Sequence, residues 1–388
     1  MHRQPDAEFD FLCLIVRPRP DWTAARAVLR EGLDHDELLR LAAQHAVRPQ
    51  LVEAYGRFSW EGVPAPVRAE CDDFRHFHLA RMLFLSDTLR RVDELFARHG
   101  IALATFKGAA LAAALYGDLS RREYGDLDII VPPEQVSAAE RLLGSLGYSG
   151  PERDSEFRRT FLAYQRQYAF VNDTVRASID LHWHFNGVHS PFPLQPSEIW
   201  QDLVPVQIGD RAVPTLHGAN LALLLAGHGT KEAWKKLGWV RDFAMLSERQ
   251  LDLDWSSIHA RARAQGCGNA VLLGCALSYA LFGTAIPPAI GPQLTGNRRV
   301  RSMVASIVAT LRSGRPFAPV RPYLEDLDLC DHWRDKLGSV VRQGLTRTVG
   351  DYESWPLPPA LWSVYYATRP FRLFAKAAAK ATGIGQAR

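Results

Sequence analysis

Two nearby stretches of the chain carry residue types that can bind a phosphate and a metal ion. The first is Phe106-Lys107-Gly108, followed by a helix-forming run from Ala109 to Tyr116. Gly108 lets the backbone approach a ligand closely, and a helix that starts there presents free N–H groups and a positive dipole end to an anion. Lys107 adds a full positive charge at the same point. This turn is therefore predicted to hold phosphate.

The second stretch, from Gly125 to Val131, places two aspartates in alternation with apolar residues. Successive side chains of a strand point to opposite faces, so Asp126 and Asp128 are expected on one face and Leu127 in the core. Two adjacent carboxylates repel unless a cation lies between them, and hard oxygen ligands favour Mg²⁺ or Mn²⁺ over zinc. The alternative interpretation is that these aspartates form the solvated face of an edge strand.

A third carboxylate lies on a later alternating segment, Ala177 to Trp183. The alternation puts Ser178, Asp180 and His182 on one face. A two-metal site needs about three protein carboxylates, because each ion also takes oxygens from substrate and water. Asp180 is therefore predicted to be the third metal ligand and the candidate base. His182 shares that face and is a candidate phosphate or metal contact, although a strand histidine beside an acid is often only a hydrogen-bond partner.

A longer series of motifs connects these segments. Its members are Lys107-Gly108, Leu115-Tyr116-Gly117-Asp118, Arg121, Gly125-Asp126-Leu127-Asp128 and Ile179-Asp180-Leu181-His182-Trp183, continued by His228, Lys231, Trp234, Leu237, Trp239 and Asp242. The series resembles the nucleotidyltransferase superfamily with the polymerase-beta-like fold, and more narrowly its uncharacterised bacterial family of type five. The resemblance covers roughly residues 107 to 242. One departure is Ala109, because the superfamily has a serine at this position whose hydroxyl contacts a phosphate oxygen. The residues therefore do not specify which phosphate Lys107 binds.

The resemblance implies a fold and a reaction. The fold is α+β, with a polymerase-beta-like core of mixed sheet and flanking helices embedded between N- and C-terminal helical regions. The reaction is a metal-dependent transfer of a nucleotidyl group from a nucleoside triphosphate such as ATP to a hydroxyl-bearing acceptor. Asp126, Asp128 and Asp180 would bind Mg²⁺ or Mn²⁺, and Lys107 with the Gly108 helix start would hold the outgoing phosphates.

The nucleotide contacts are predicted from the same resemblance and from charge. In that superfamily a helical region after the core covers the base and sugar, so His228, Lys231 and Trp234 are predicted nucleotide contacts. The competing interpretation is that the tryptophans are core residues and the lysines are solvated. Arg121 and Arg122, which directly precede the acidic strand, are predicted phosphate contacts.

Composition limits the class of protein. The 388 residues are 47% hydrophobic and 23% charged, as in soluble globular proteins with two or three cores. The net charge of +4 does not require nonspecific nucleic-acid binding. Five scattered cysteines indicate a reducing compartment and argue against a zinc module. Neither a signal-sequence core nor an apolar run of about 20 residues is present, so we expect no transmembrane segment and a cytoplasmic location.

The periodicity of apolar residues and the family resemblance together divide the chain into three expected domains. These are an N-terminal helical cap over 1–99, the nucleotidyltransferase core over 100–186, and a helical C-terminal region over 187–388 that covers the nucleotide cleft. Prolines between residues 187 and 216 predict an irregular connection. The tail from Pro370 contains Arg372, Lys376, Lys380 and Arg388 and no acid. It predicts a weak contact with an anionic membrane surface or a partner, although a helix packed on its own domain is more common.

Two other functions remain open from the sequence. One is a kinase-like transfer of the γ-phosphoryl group, because the missing serine lets the triphosphate bind differently. The other is a noncatalytic module that binds a nucleotide or a partner, against which the three carboxylates argue. The acceptor (small molecule, peptide, protein or RNA), the nucleotide preference and the oligomeric state are not specified by the residues.

Overall fold

The helices before the first strand follow the apolar periodicity of the sequence. The computed structural model describes residues 6–150, 166–186, 191–314, 330–346 and 348–381. The N-terminal helices are α1 Ala7–Val16, α2 Trp22–Arg30, α3 His35–Gln44, α4 Arg48–Arg57 and α5 Ala65–Arg98. Side chains of Asp21 and Asp34 cap α2 and α3 by accepting hydrogen bonds from backbone N–H groups of the first turn. The N-terminal region is thus helical, as the predicted fold class describes.

A six-stranded mixed sheet lies at the centre of the molecule. Its strands are β1 Ala104–Thr105, β2 Leu127–Ile130, β3 Gln167–Asn172, β4 Ala177–His182, β5 Val204–Ile208 and β6 Arg211–Thr215. Their spatial order is β3-β4-β2-β1-β6-β5. The pairs β2/β4 and β1/β6 are parallel, and the other neighbouring pairs are antiparallel. A mixed sheet with flanking helices is the predicted α+β architecture.

The proline-rich stretch after residue 187 differs from its prediction. Instead of an irregular connection throughout, residues 204–215 form the β5–β6 hairpin, in which Pro205 lies opposite Pro214. Pro205 is tolerated because β5 is an edge strand, and Pro214 is tolerated because β6 pairs with β1 only at Thr215, so the missing N–H groups break few ladder hydrogen bonds. Ile208 and Val213 bury their side chains and hold the hairpin on the core. Two strands of the sheet therefore lie beyond the domain boundary predicted at residue 186, and the three-domain division stays a prediction.

Helices cover the sheet and extend the chain beyond it. After β1 come α6 Gly108–Leu111, a π-helix Ala112–Tyr116 and a 3₁₀ turn Leu119–Arg121; after β2 come a 3₁₀ turn Pro133–Gln135 and α7 Val136–Ser145. A 3₁₀ turn, Pro196–Glu198, lies between β4 and β5. The elements after β6 are α8 Gly218–Lys231, α9 Leu237–Arg249, α10 Trp255–Ala264, α11 Gly268–Phe282, α12 Gly291–Gly296, α13 Arg298–Arg312, α14 Trp333–Leu345, α15 Val349–Ser354, a 3₁₀ turn Pro359–Leu361 and α16 Val364–Ala381. Among the described residues, no helix combines the length and apolar character that a membrane span requires.

Two hydrophobic clusters hold these elements together. One contains Phe11 and Leu51 of the N-terminal helices together with Leu223 and Phe243 of α8 and α9. The other lies between the sheet and the C-terminal half of α5. Burial of apolar surface stabilises each contact by roughly 25 cal/mol per Å². The N-terminal helices therefore pack on α8 and α9, and this contact fixes α8 and α9 beside the strands that carry the aspartates.

One buried carboxylate lies on α7. Glu140 is 9% exposed, and burial raises the pKa of its carboxyl to about 7, above its ordinary value of 4.5. A carboxyl whose pKa is higher in the folded state contributes stability that is full below pH 4.5 and is lost as the pH rises through 7. We expect Glu140→Gln to raise the free energy of unfolding at pH 8 by about 1 kcal/mol and to have little effect at pH 4. Denaturant unfolding at both pH values, with the exposed Glu134→Gln as control, measures this, and an equal effect at both would contradict it.

Candidate active site

The predicted motifs meet in one cleft of about 400 Å³ between the sheet and the helices α8 and α9. Most of the predicted site residues line it: Lys107, Gly108, Asp126, Asp128, Asp180, His182, His228 and Lys231. Arg121 and Trp234 do not. Arg122, Gln167, Lys235, Lys236 and Trp239 also contribute side chains to the wall. The cleft thus has an acidic floor from β2 and β4 and a basic wall from α8 and the turn before α9.

The parallel pairing of β2 and β4 creates the acidic floor. Asp128 is directly opposite Asp180 in this register, so the two side chains leave the sheet on the same face. One ligand atom from each of Asp128, Asp180 and His182 lies within 4.8 Å of the others. The two carboxylates offer oxygen ligands that suit a divalent cation, and such oxygens favour Mg²⁺ or Mn²⁺. Asp126 directly precedes β2, is the most open of the three aspartates and lies outside this close group.

Asp128 is the most constrained of the acidic residues. Its Oδ1 is 3.3 Å from Nζ of Lys107 and 3.0 Å from Nε2 of His182. A carboxylate only accepts hydrogen bonds, so Nε2 of His182 is the donor. Burial raises the pKa of Asp128, but the charge of Lys107 and the hydrogen bond from His182 outweigh burial and hold that pKa well below its usual range. Asp128 is therefore ionised and held in a fixed orientation.

The other two carboxylates experience the opposite effect. Desolvation in the cleft, followed by the negative charge of Asp128, raises the pKa of Asp126 and of Asp180 above the ordinary value. Gln167 of β3 donates from Nε2 to Oδ2 of Asp180 over 3.4 Å. Three carboxylates that disfavour each other's ionisation concentrate negative potential at one point, which attracts a cation.

The Lys107-Gly108 turn closes the cleft on one side. Gly108 has a φ of +53°, in the left-handed region that glycine tolerates best. A Cβ at this position would lie 3.5 Å from the carbonyl oxygen of Asp126 and from the Tyr124 ring, so the turn packs on the segment that leads into β2. The helical segment predicted from 109 to 116 starts here as α6 and continues as the π-helix. Lys107 points to Asp128, so its charge lies at the floor of the cleft.

The basic wall surrounds an aromatic ring. Trp239 of α9 meets His228 edge to face, with ring centroids 5.2 Å apart. The Nζ atoms of Lys235 and Lys236 lie 5.5 and 5.3 Å from the centroid of the Trp239 ring. Burial, followed by the charge of Lys107, lowers the pKa of His228 well below its ordinary value, so this imidazole is neutral. The wall therefore offers an indole flanked by two lysines, of which Lys235 is paired with Glu232 over 2.7 Å.

Trp234 lies in the core and not in the cleft. Its side chain is fully buried, and its Nε1 donates to Oγ1 of Thr230 over 3.1 Å. Ala233 and Trp234 both have positive φ values, of 54° and 50°, so the chain turns inward after α8. The predicted nucleotide contact of Trp234 is therefore wrong. Trp239, in contrast, lines the cleft, although the competing interpretation assigned it to the core.

Arg121 also departs from its prediction. Its guanidinium is exposed and pairs with Glu53 over 3.2 Å, away from the cleft. The neighbouring Arg122 lines the cleft and donates from Nε to both carboxylate oxygens of Asp242, at 3.2 and 3.0 Å. Asp242 also accepts a hydrogen bond of 2.6 Å from the hydroxyl of Tyr116. This buried network ties α9 to the segment before β2 and leaves Arg122 as the arginine of the cleft.

Some wall residues were not assigned from the sequence. Lys236 is one of them, and its charge in the short basic run after Trp234 was the available signal. Gln167 gave no such signal, because its role depends on the pairing of β3 with β4, in which it lies opposite His182.

Comparison with known proteins gives a family match and a distant structural likeness. Residues 31–283 match the family described as uncharacterised nucleotidyltransferase. The solution structure of the antibiotic-resistance factor ANT(2″)-Ia is similar at 12% sequence identity and a TM-score of 0.34, over 46% of this chain and 89% of that one. The crystal structure of ANT(2″)-Ia in complex with adenylyl-2″-tobramycin is similar at 12% identity and a TM-score of 0.27, over 58% of this chain and 97% of that one. No curated protein matches significantly.

Proposed function

The chain belongs to the family of uncharacterised nucleotidyltransferases, and we propose that it catalyses a metal-dependent transfer of a nucleotidyl group from a nucleoside triphosphate to a hydroxyl-bearing acceptor. The observation that carries this proposal is the parallel register of β2 and β4. It brings the carboxylates of Asp128 and Asp180 together on the floor of a cleft that has a cationic wall. Anionic phosphates and a divalent cation are the ligands that this distribution of charge attracts.

The acidic floor would hold the metal. Asp128 and Asp180 would be its central ligands, and Asp126 at the open edge would complete the set of three carboxylates. When bound, Mg²⁺ or Mn²⁺ neutralises the charge of the phosphate oxygens and lowers the pKa of a coordinated hydroxyl. His182 acts through Asp128, since its hydrogen bond fixes the direction of that carboxylate.

The remaining cleft residues orient the reactants. The acceptor oxygen attacks the α-phosphorus, Asp180 takes the hydroxyl proton, and the bond between the α-phosphorus and the bridging oxygen breaks so that pyrophosphate leaves. Lys107 and the backbone N–H groups after Gly108 bind the departing phosphates. Most of the rate acceleration comes from alignment and from charges that are fixed before the reaction.

The basic wall would bind the nucleotide. Trp239 offers a face on which a base can stack, and the two lysines beside it and Lys231 supply positive charge for phosphates. Neutral His228 holds the indole from the side and is available for a hydrogen bond to the sugar or a phosphate.

The two tryptophans separate binding from stability in a testable way. We expect Trp239→Ala to raise the KM for the nucleotide by about tenfold, because base stacking is worth roughly 1–3 kcal/mol. Trp234→Phe should leave that KM within about twofold and lower the free energy of unfolding by about 1–2 kcal/mol, because it removes core volume and the bond to Thr230. Steady-state kinetics and denaturant unfolding of both variants give the comparison. The reverse assignment of effects would contradict it.

One observation favours a second candidate reaction. Ala109 is fully buried and has no hydroxyl, so the phosphate contact that a serine would make is missing at that position. A triphosphate bound without this contact can present its γ-phosphorus to the acceptor, which would make the reaction a kinase-like phosphoryl transfer.

Triphosphates labelled at the α- or the γ-phosphate test the proposal. Each is incubated with the protein, Mg²⁺ or Mn²⁺ and a cell extract as the source of acceptors. Transfer of the α label to an acceptor, with loss on addition of a chelator, is the expected result. Transfer of the γ label instead would replace nucleotidyl transfer by phosphoryl transfer. Binding of the triphosphate without transfer of either label, across extracts that contain products of neighbouring genes, would favour the noncatalytic module.

A further inference from the structure

Helix α14 carries its apolar residues on the outside. Trp333, Leu337, Val341 and Leu345 are four residues apart, so they form one stripe along the helix, which we call the α14 stripe. Their side chains are 68%, 54%, 45% and 55% exposed. An amphipathic helix normally turns such a stripe toward a core, because burial of large apolar side chains stabilises the fold. Here the stripe faces away from the described part of the molecule.

The opposite side of α14 is polar and faces the protein. Ser339 is 4% exposed, and the carboxyl carbon of Asp335 lies 3.1 Å from the position that a Cβ of Gly266 would take. Just before the helix, Asp331 accepts hydrogen bonds from the N–H groups of Gly268 and Asn269, at 2.7 and 2.8 Å. These polar contacts to the start of α11 fix the orientation of α14 with the stripe outward.

The stripe belongs to a larger concentration of exposed apolar side chains. Of the fifteen large apolar residues that are exposed in the described ranges, eight lie between 333 and 371. Besides the stripe, these are Trp355, Leu361, Tyr366 and Phe371, with Phe371 the most exposed at 78%. Contiguous exposed apolar surface marks a site of interaction with a protein or a membrane. Aromatic side chains in particular are enriched at the boundary between lipid and water.

The charge of the same segment identifies the kind of surface that fits it. Residues 331–388 contain nine Lys or Arg and four Asp or Glu, while the whole chain has a net charge of +4. The segment therefore has a net charge of +5, and the rest of the chain has a net charge of −1. Docking on the same segment of a second copy would bring two positive ends together. Nucleic acid would match the charge but would leave the apolar stripe uncovered.

We propose that the α14 stripe docks on a lipid bilayer that carries anionic headgroups. The indole and aliphatic side chains enter the headgroup region, and exposed Arg334, next to the Trp333 ring, lies at the level of the lipid phosphates. Arg369 and Arg372 do not take this role, because both are bound to Asp351, where they hold α15 on α16. This inference is independent of the reaction proposed for the cleft.

Co-sedimentation of the full chain with vesicles tests the proposal. Vesicles of phosphatidylcholine mixed equally with phosphatidylglycerol are compared with vesicles of phosphatidylcholine alone. Wild type should bind the anionic vesicles about tenfold or more tightly than the neutral ones. The double substitution Trp333→Gln with Leu337→Gln should weaken binding to anionic vesicles by about tenfold or more, because it removes two inserted apolar side chains.

A matched pair of substitutions controls for the loss of exposed apolar residues. Phe77→Gln with Leu83→Gln changes two exposed side chains, 77% and 56% exposed, on helix α5. This variant should bind vesicles as wild type does. A second readout uses unsubstituted residues: vesicles of brominated lipid should quench part of the tryptophan fluorescence of wild type, and Trp333→Phe should remove most of that quenching.

Several results would overturn the proposal. Wild type that fails to bind anionic vesicles would do so, as would a double variant that binds like wild type. A wild-type dimer in light scattering that the stripe substitutions dissociate would assign the stripe to a second copy. Retention of the chain on an acidic protein but not on vesicles would assign it to a protein partner.

Discussion

Asp128→Asn is expected to reduce the kcat of nucleotidyl transfer by at least about 10³-fold while leaving the fold intact. Asp128 is the acidic residue that the other groups converge on: it lies opposite Asp180, and Lys107 and His182 both contact its Oδ1. Asparagine keeps the size of the side chain and can still accept the bond from His182. What it removes is the negative charge that would hold the metal. Asp126→Ala should also abolish turnover, since it removes another of the three carboxylates.

The matched control for Asp128→Asn is Asp173→Asn, in the exposed turn between β3 and β4. Both variants should keep the circular dichroism spectrum of wild type, and only the substitution in the cleft should lose transfer of the α label. Full activity of Asp128→Asn would contradict the assignment of the acidic floor.

Asp180→Asn is expected to reduce turnover less than substitution of Asp126 or Asp128, and its signature differs. We expect kcat to fall by about 10²- to 10³-fold with little change in nucleotide affinity, because the substitution removes the proton acceptor and one metal ligand. Lys107, the Gly108 turn and the basic wall remain, so the triphosphate should still bind. Binding of a labelled nonhydrolysable triphosphate, measured beside single-turnover transfer, separates the two quantities.

Gln167→Ala serves as the comparison for Asp180→Asn. The neutral amide of Gln167 donates a hydrogen bond of 3.4 Å to Asp180, so Gln167→Ala should lower kcat by about threefold to tenfold. An Asp180 variant that loses nucleotide affinity and keeps single-turnover transfer would assign this carboxylate to substrate binding instead.

Local sequence patterns predicted the direction of the aspartates but not their neighbours. Alternation in each segment indicated that Asp128 and Asp180 leave their strands on the polar face. That the strands are adjacent and parallel is a long-range property, and no residue between them specifies it. The hydrogen bond from His182 to Asp128 depends on the same register. His182 was therefore predicted as a phosphate or metal contact, but its hydrogen-bond partner Asp128 was not predicted.

The error at Trp234 has a definite backbone cause. Trp234 was predicted, together with His228 and Lys231, to contact the nucleotide from one helical region. The chain instead reverses at Ala233 and Trp234, where two residues with side chains adopt positive φ, and a new helix begins at Leu237. The helical phase restarts there, so Trp239 takes the position in the cleft. Positive φ outside glycine is rare and gives no compositional signal.

The β5–β6 hairpin was missed for a related reason. Prolines are poor strand residues in general, and composition alone therefore favoured a loop. Their effect depends on the pairing of the strand: Pro205 lies in the edge strand β5, and β6, which contains Pro214, pairs with β1 only at Thr215. Alternation of Val204, Val206 and Ile208 was the signal that the prolines concealed.

Binding of Mn²⁺ in the presence of a nonhydrolysable triphosphate can be measured without knowledge of the acceptor. Electron paramagnetic resonance of free Mn²⁺ measures the ion bound by wild type and by Asp128→Asn at equal protein concentration. We expect wild type to bind Mn²⁺ together with the nucleotide and Asp128→Asn to weaken this binding by about 10²-fold or more. Equal binding of Mn²⁺ by the two proteins would contradict the claim that the carboxylates of β2 and β4 form a metal-dependent nucleotidyltransferase site.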